Sequence, residues 1–166
     1  MHRTWRDWVV LAAGVAVLAG VNFSIMGRER HLAEGRVVFL ELAPVDPRSL
    51  MQGDYMALRF KAEDDAFGRG RARDLGDGRI VVKLDARGVG TFLRRDEGQP
   101  LADGEVALRY RVRNDRVKFA TNAFFFREGT GKAYEAARYG EMRVAPSGEL
   151  LLTAMRGKDL EPLGPR

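Results

Sequence analysis

The run PVDPRSLMQGDYMALRF, Pro44 to Phe60, places Asp46, Arg48, Ser49, Asp54 and Tyr55 close together in the chain. Those residue types suggest two chemistries. Asp46 and Asp54, joined by Glu128 further along, could serve as a carboxylate set for acid–base hydrolysis. Ser49 with Lys83 could form a nucleophile–base dyad, which requires a lysine stripped of water. The alternation in RIVVKL sets Lys83 opposite Ile80, Val82 and Leu84, on the wet side of its strand, and with five lysines in the chain such a pairing is a cheap coincidence. A third explanation is architectural. Asp46 before Pro47 has the extended geometry of a helix N-cap, Pro47 suits a first helical position, and Gly53 can end the turn at positive φ. By strand parity Asp54 then shares the inward face of Met56, Leu58 and Phe60, where its carboxylate needs backbone N–H groups or a neighbour such as Arg48.

Chemistry elsewhere is sparse. Glu128 and Glu135 flank a Gly-Thr-Gly turn in FFFREGTGKAYE and could bracket a substrate or cation, but Glu135 with Arg138 also fits a surface i,i+3 pair. Phe124, Phe125 and Phe126 fit core and sheet-face packing better than a stacking platform. The chain has no cysteine, and its two histidines, His2 and His31, flank an apolar segment, so neither a thiol nucleophile, a His-based metal cluster nor a Ser-His-Asp triad is indicated. No metal or cofactor is expected. In VALRYRVR, Arg109, Arg111 and Arg113 project from one side of a strand about 7 Å apart, with Arg59 on a possible neighbour. That stripe is either a solvated face or a contact for lipid headgroups or an acidic partner. The net charge of +5 is too diffuse to suggest nucleic acid.

The elements that must position these groups are mostly strands. From Val37 onward the apolar period is near two and is punctuated by Gly and Asp. VVFLEL, YMALRF, RIVVKL and VALRYRVR all follow it. In the last of these Val106, Leu108, Tyr110 and Val112 oppose the arginines. RNDR and APSGE are hairpin turns, DARGVG is a looser one, and Gly68 to Gly78 is a loop. TGKAYEAARY supplies helix formers for two or three turns. About eight strands with local pairings and one short helix predict a mainly β domain, an antiparallel barrel or sandwich.

Trp8 to Met26 carries no charge, and at ~1.5 Å per residue it covers roughly 28 Å, the hydrocarbon thickness of a bilayer. Trp5 and Trp8 sit where an interfacial aromatic belt would lie, and Arg28, Glu29 and Arg30 close the segment. A cleaved signal peptide would need a polar region before the cut, whereas the apolar stretch continues to Met26; a buried soluble helix is the remaining alternative. An uncleaved signal-anchor is the preferred interpretation. It predicts a tail over 1–7, a transmembrane segment over 8–26, a juxtamembrane linker over 27–36 and an extracytoplasmic β domain over 37–166. Basic residues on both sides leave the orientation undecided by charge; the short tail and long remainder favour a C-terminal domain outside the cytoplasm.

Two resemblances bear on function. GDYMALRF resembles the signature of the bacterial GDYXXLXY proteins, with Gly53, Asp54, Tyr55 and Leu58 matching and Phe60 replacing the final tyrosine. PVDPRSLMQ and FFFREGTGKAYE resemble the same family's pattern, and the likeness runs from the apolar segment nearly to the C-terminus. It implies a protein anchored in the bacterial inner membrane, of uncharacterised activity, whose relatives accompany multi-spanning membrane proteins. Phe60 lacks the hydroxyl that catalysis at that position would use. PRSLMQGD is also similar in rhythm to the serine turn of type I signal peptidases, yet with the Gly-Asp pairs aligned the nucleophile falls at Val45 and Ser49 takes a threonine position.

The expectation is a single-pass envelope protein, held in the bilayer by residues 8–26. Its β domain is a non-catalytic structural or partner-binding module, and a multi-spanning membrane protein is the partner in view. A membrane-bound hydrolase, either Ser-Lys or carboxylate-based, is the alternative. The motif residues singled out are Asp46, Arg48, Gly53, Asp54, Tyr55, Glu128 and Glu135.

Overall fold

A computed structural model describes residues 5–43, 51–52, 55–68 and 75–164. It divides into two compact units, an N-terminal one ending at Glu34 and a second from Gly35 onward.

The first is helix α1, Trp5–Glu34. A helix lying on a soluble core keeps a single apolar stripe. Here Val9, Val10 and Leu11, successive positions about 100° apart around the axis, are all exposed, as are Leu18, Phe23 and Ile25. The helix does not stop where the apolar run ends: it continues through Arg28, Glu29 and Arg30, so the expected linker is helical as far as Glu34.

The second unit is mainly β. Strands β1 (Arg36–Glu41), β4 (Gly78–Leu84), β5 (Val89–Arg95), β6 (Glu105–Arg113), β7 (Arg116–Lys118), β9 (Tyr139–Val144) and β10 (Leu150–Arg156) form one sheet in the order β10-β9-β1-β5-β4-β6-β7. A smaller sheet runs β2-β3-β8, from Met51–Gln52, Tyr55–Ala57 and Ala123–Phe125. The large sheet curls into a half-barrel. The tip of the β9–β10 hairpin returns to β6, where the Arg109 N–H donates to the Gly148 carbonyl at 2.7 Å. The domain is mainly β as expected, and among the described strands every pairing is antiparallel except β1 with β5, which runs parallel.

The core lies on the concave side and holds Val38, Leu40, Met56, Leu58, Phe60, Ile80, Leu108, Phe119, Met142 and Met155. Strand parity is obeyed in β6, where Val106, Leu108 and Tyr110 are buried and Arg109, Arg111 and Arg113 are exposed. It fails in β4. Val81, expected on the wet side, is fully buried. The ladder places it between Arg94 of β5 and Ala107 of β6. Arg94 pairs with Glu105 at 3.0 Å, and since β4 lies between those strands the ion pair spans β4 on the face that Val81 shares with Lys83.

Two helical segments also differ from expectation. Lys61–Phe67 forms α2, with Glu63 and Asp64 in its first turn and a Lys61–Asp65 pair one turn apart at 2.7 Å. Phe67 packs edge-on against Tyr110 with ring centroids 4.7 Å apart. The helix expected near Gly129 to Tyr139 is a single 3₁₀ turn, Gly131–Tyr134. Tyr134 is held by Phe124 and Phe126 at 5.1 and 5.4 Å, and by Arg138 the backbone bonds both to Leu42 of the β1 edge and to Arg156 of β10. Sheet pairing draws the chain straight before a second helical turn can form.

Candidate functional site

Of the motif residues, Asp46, Arg48, Gly53 and Asp54, with Ser49, lie outside the described residues. Tyr55 opens β3 opposite Phe125, with ring centroids 5.8 Å apart. Met56, Leu58 and Phe60 point into the core as strand parity requires. Phe60 is 2% exposed, and its ring edge would lie 3.0 Å from a side chain added at Gly140. This position is a packing wedge. A tyrosine hydroxyl there would need a buried partner, which phenylalanine avoids.

The other candidates stand apart. Glu128 and Glu135 are exposed, in the loop after β8 and at the end of the 3₁₀ turn. Glu135 makes no ion pair with Arg138, whose guanidinium donates instead to the Ala137 carbonyl at 3.0 Å. Phe124 and Phe126 pack on Tyr134, whereas Phe125 is 73% exposed. Lys83 is exposed and donates to the Asp103 carbonyl, which leaves it without the desolvation a Ser-Lys dyad demands.

The arginine stripe is different, because the fold extends it. The two-residue Asn114-Asp115 turn, both at positive φ, reverses β6 into β7 and sets Lys118 opposite Arg111 and Arg116 opposite Arg113. On the other flank Arg79 of β4 stands opposite Arg109. Residues paired in a ladder project to the same face. At the Arg79 end of the ladder that face presents Arg79, Arg109, Arg111, Arg113, Arg116 and Lys118, and Lys83, opposite Glu105, and Arg94, opposite Val81, share it further along. The β9–β10 tip closes one end and forms an open cleft of about 190 Å³, lined by Arg109, Arg111, Arg113, Lys118, Ala120, Glu149 and Leu150.

Three carboxylates serve this end of the face. Glu149 accepts from Arg111 at 2.7 Å, Asp77 receives both Nη atoms of Arg113 at 3.0 and 3.2 Å, and Asp96 pairs with Arg79 at 2.7 Å. Asp77 is held below the usual carboxylate range first by the Val112 N–H and then by Arg113; Asp96 is lowered first by the Gly98 N–H, with Arg79 adding to it.

Two acidic positions carry environments that strand alternation does not announce. Glu141 is buried in β9, receives Arg156 Nε at 2.6 Å and the Thr153 hydroxyl at 3.3 Å, and sits where a bulge shifts the β9–β10 register. Glu63 on α2 is pushed up to about 7 by burial, against the opposing charge of Arg59.

Among the described residues no group of three or more His, Asp or Glu is arranged to hold a metal ion. No curated protein and no solved structure matches the chain. The GDYXXLXY protein family model matches residues 17–155, from within α1 into β10. With most of its length covered by that match, the chain belongs to the GDYXXLXY family.

Proposed function

We propose that this is a single-pass membrane-anchored envelope protein, with α1 as an uncleaved anchor. Its β domain, outside the cytoplasm, is a non-catalytic partner-binding module and an accessory subunit of a multi-spanning membrane protein. The observation that carries the proposal is α1 itself. Its best window has a mean hydropathy of 2.2 with none of it buried, so its apolar surface is left for lipid or for other membrane helices. Binding is favoured over hydrolysis because no hydrogen bond or ion pair among the described residues joins the exposed Glu128, Glu135 and Lys83, whereas the basic side chains of β4, β6 and β7 share one continuous sheet face.

The test is copurification of the full chain from mild detergent. A multi-spanning protein retained through two affinity steps is expected; recovery of the chain alone across several detergents would sink the accessory role. Orientation has a clean reporter, since the chain has no cysteine of its own. The exposed Lys158, changed to cysteine, should react in intact cells with a maleimide that cannot cross the cytoplasmic membrane. Labelling only after that membrane is permeabilised would place the domain in the cytoplasm.

A further inference from the structure

The ladder β4-β6-β7 sets like charges directly opposite one another three times: Arg79 with Arg109, Arg111 with Lys118, and Arg113 with Arg116. Such pairs are destabilising. Carboxylates pair directly with Arg79, Arg111 and Arg113, while Arg109, Arg116 and Lys118 make no ion pair among the described residues, Arg109 acting on Asp77 only through its charge at longer range. Two of those three, Arg109 and Lys118, line the cleft; Arg116 does not.

We infer that this cleft binds a phosphate group. One oxyanion already occupies its wall, since Glu149 engages Arg111. The two cleft cations without an ion pair flank it: Arg109 is two residues along the strand, about 7 Å away, and Lys118 is directly across the ladder, about 5 Å away at Cβ. A carboxylate presents two oxygens in one plane and suits a single guanidinium fork. A phosphate presents its oxygens in three dimensions and can take donors from two strands together, with arginine supplying forks and lysine a point charge. Leu150 provides an apolar floor beside the charges. Two sources share this chemistry, a free phosphate and the headgroup of an anionic phospholipid. The lipid source rests on the membrane-anchored reading, because only Gly35 separates α1 from β1 and the tether keeps the domain near a bilayer.

The full chain in dodecyl maltoside micelles would be titrated calorimetrically with sodium phosphate at constant ionic strength, with tetraglutamate, and with phosphatidylglycerol doped into the micelles. Binding of phosphate, of phosphatidylglycerol, or of both is expected, and names the source. Arg109→Gln combined with Lys118→Gln should weaken it at least tenfold, Arg116→Gln should leave it within twofold, and Glu149→Gln should tighten it a few-fold by removing the competing carboxylate. The double variant should unfold at a temperature no lower than the parent, because it removes two like-charge neighbours. No binding, tetraglutamate binding as tightly as phosphate, an equal loss from Arg116→Gln, or a destabilised double variant would each overturn the inference. Carbonate-resistant membrane association, measured on the same variants, reports separately whether the anchor proposal has failed.

Discussion

The amide of Arg109 and the carbonyl of Gly148, 2.7 Å apart, join two parts of the sheet that share no strand ladder. This bond brings the β9–β10 tip onto β6 and turns an open sheet into a half-barrel with a cleft. Glu149, the next residue, then reaches Arg111. Curvature and electrostatics at the cleft are thus set by one hairpin tip.

Gly148 is the weak point of that closure. Its φ is 82°, and a Cβ there would stand 3.0 Å from the Ala107 carbonyl oxygen, a backbone atom that cannot swing away. Gly148→Ala should cost about 1–3 kcal/mol, through the strained conformation and the displaced Arg109 bond, and thermal or urea unfolding of the full chain measures it. An unchanged midpoint would mean the tip is not held against β6.

Two phenylalanines make a contrast within one fold. Phe60→Ala, at a core position 2% exposed, should cost about 3–5 kcal/mol; Phe125→Ala, 73% exposed and touching only the Tyr55 ring among the described aromatic pairs, should cost roughly 0.5 kcal/mol. Denaturant midpoints with unchanged slopes are the readout. Comparable losses at the two positions would contradict the placement of β3 and β8.

Glu63 predicts a pH dependence of a particular sign. Its carboxyl titrates at about 7 in the folded chain against an ordinary 4.5, so across that window the folded state holds a proton the unfolded state has released. Stability from this group is fully present below about pH 4.5 and is lost as pH rises toward 7. The shift sets an upper bound of about 3 kcal/mol, which partial solvent exposure reduces to roughly 1–2 kcal/mol. Asp77, Asp85 and Asp96, all lowered, act in the opposite sense and at more acid pH. Subtracting the Glu63→Gln profile from that of the parent between pH 4.5 and 7.5 isolates the contribution of this carboxyl; a flat difference would refute it.

The Glu141–Arg156 pair tests a buried ion pair at a strand bulge. Removing one partner leaves the other charge half-enclosed, so Glu141→Ala should cost about 3 kcal/mol. The double variant Glu141→Met with Arg156→Met should recover most of that loss, because no lone charge remains. A double variant that unfolds as easily as Glu141→Ala alone would mean the bulge, not the charge, sets the cost.

Much of this was legible in the residues. The charge-free run from Trp8 to Met26, broken only by Asn22 and Ser24, is as a helix long enough to cross a bilayer, because each residue advances a helix by a fixed rise. The alternation in VALRYRVR determined which side chains of β6 enter the core, because successive strand residues point to opposite faces. Asn114-Asp115 announced its hairpin, since those residue types tolerate positive φ. Only the tertiary structure decided how these pieces meet. Val81 is dry on the face that the Arg94–Glu105 pair spans, and Glu141 is buried beside the bulge in the β9–β10 ladder, where Arg156 and Thr153 meet it. Three arginines seen as a stripe became part of a wider basic face only when β4 and β7 took their places beside β6. Local pattern determines the direction of a side chain relative to its own strand; its neighbours depend on register between segments far apart in the chain, which no single segment encodes.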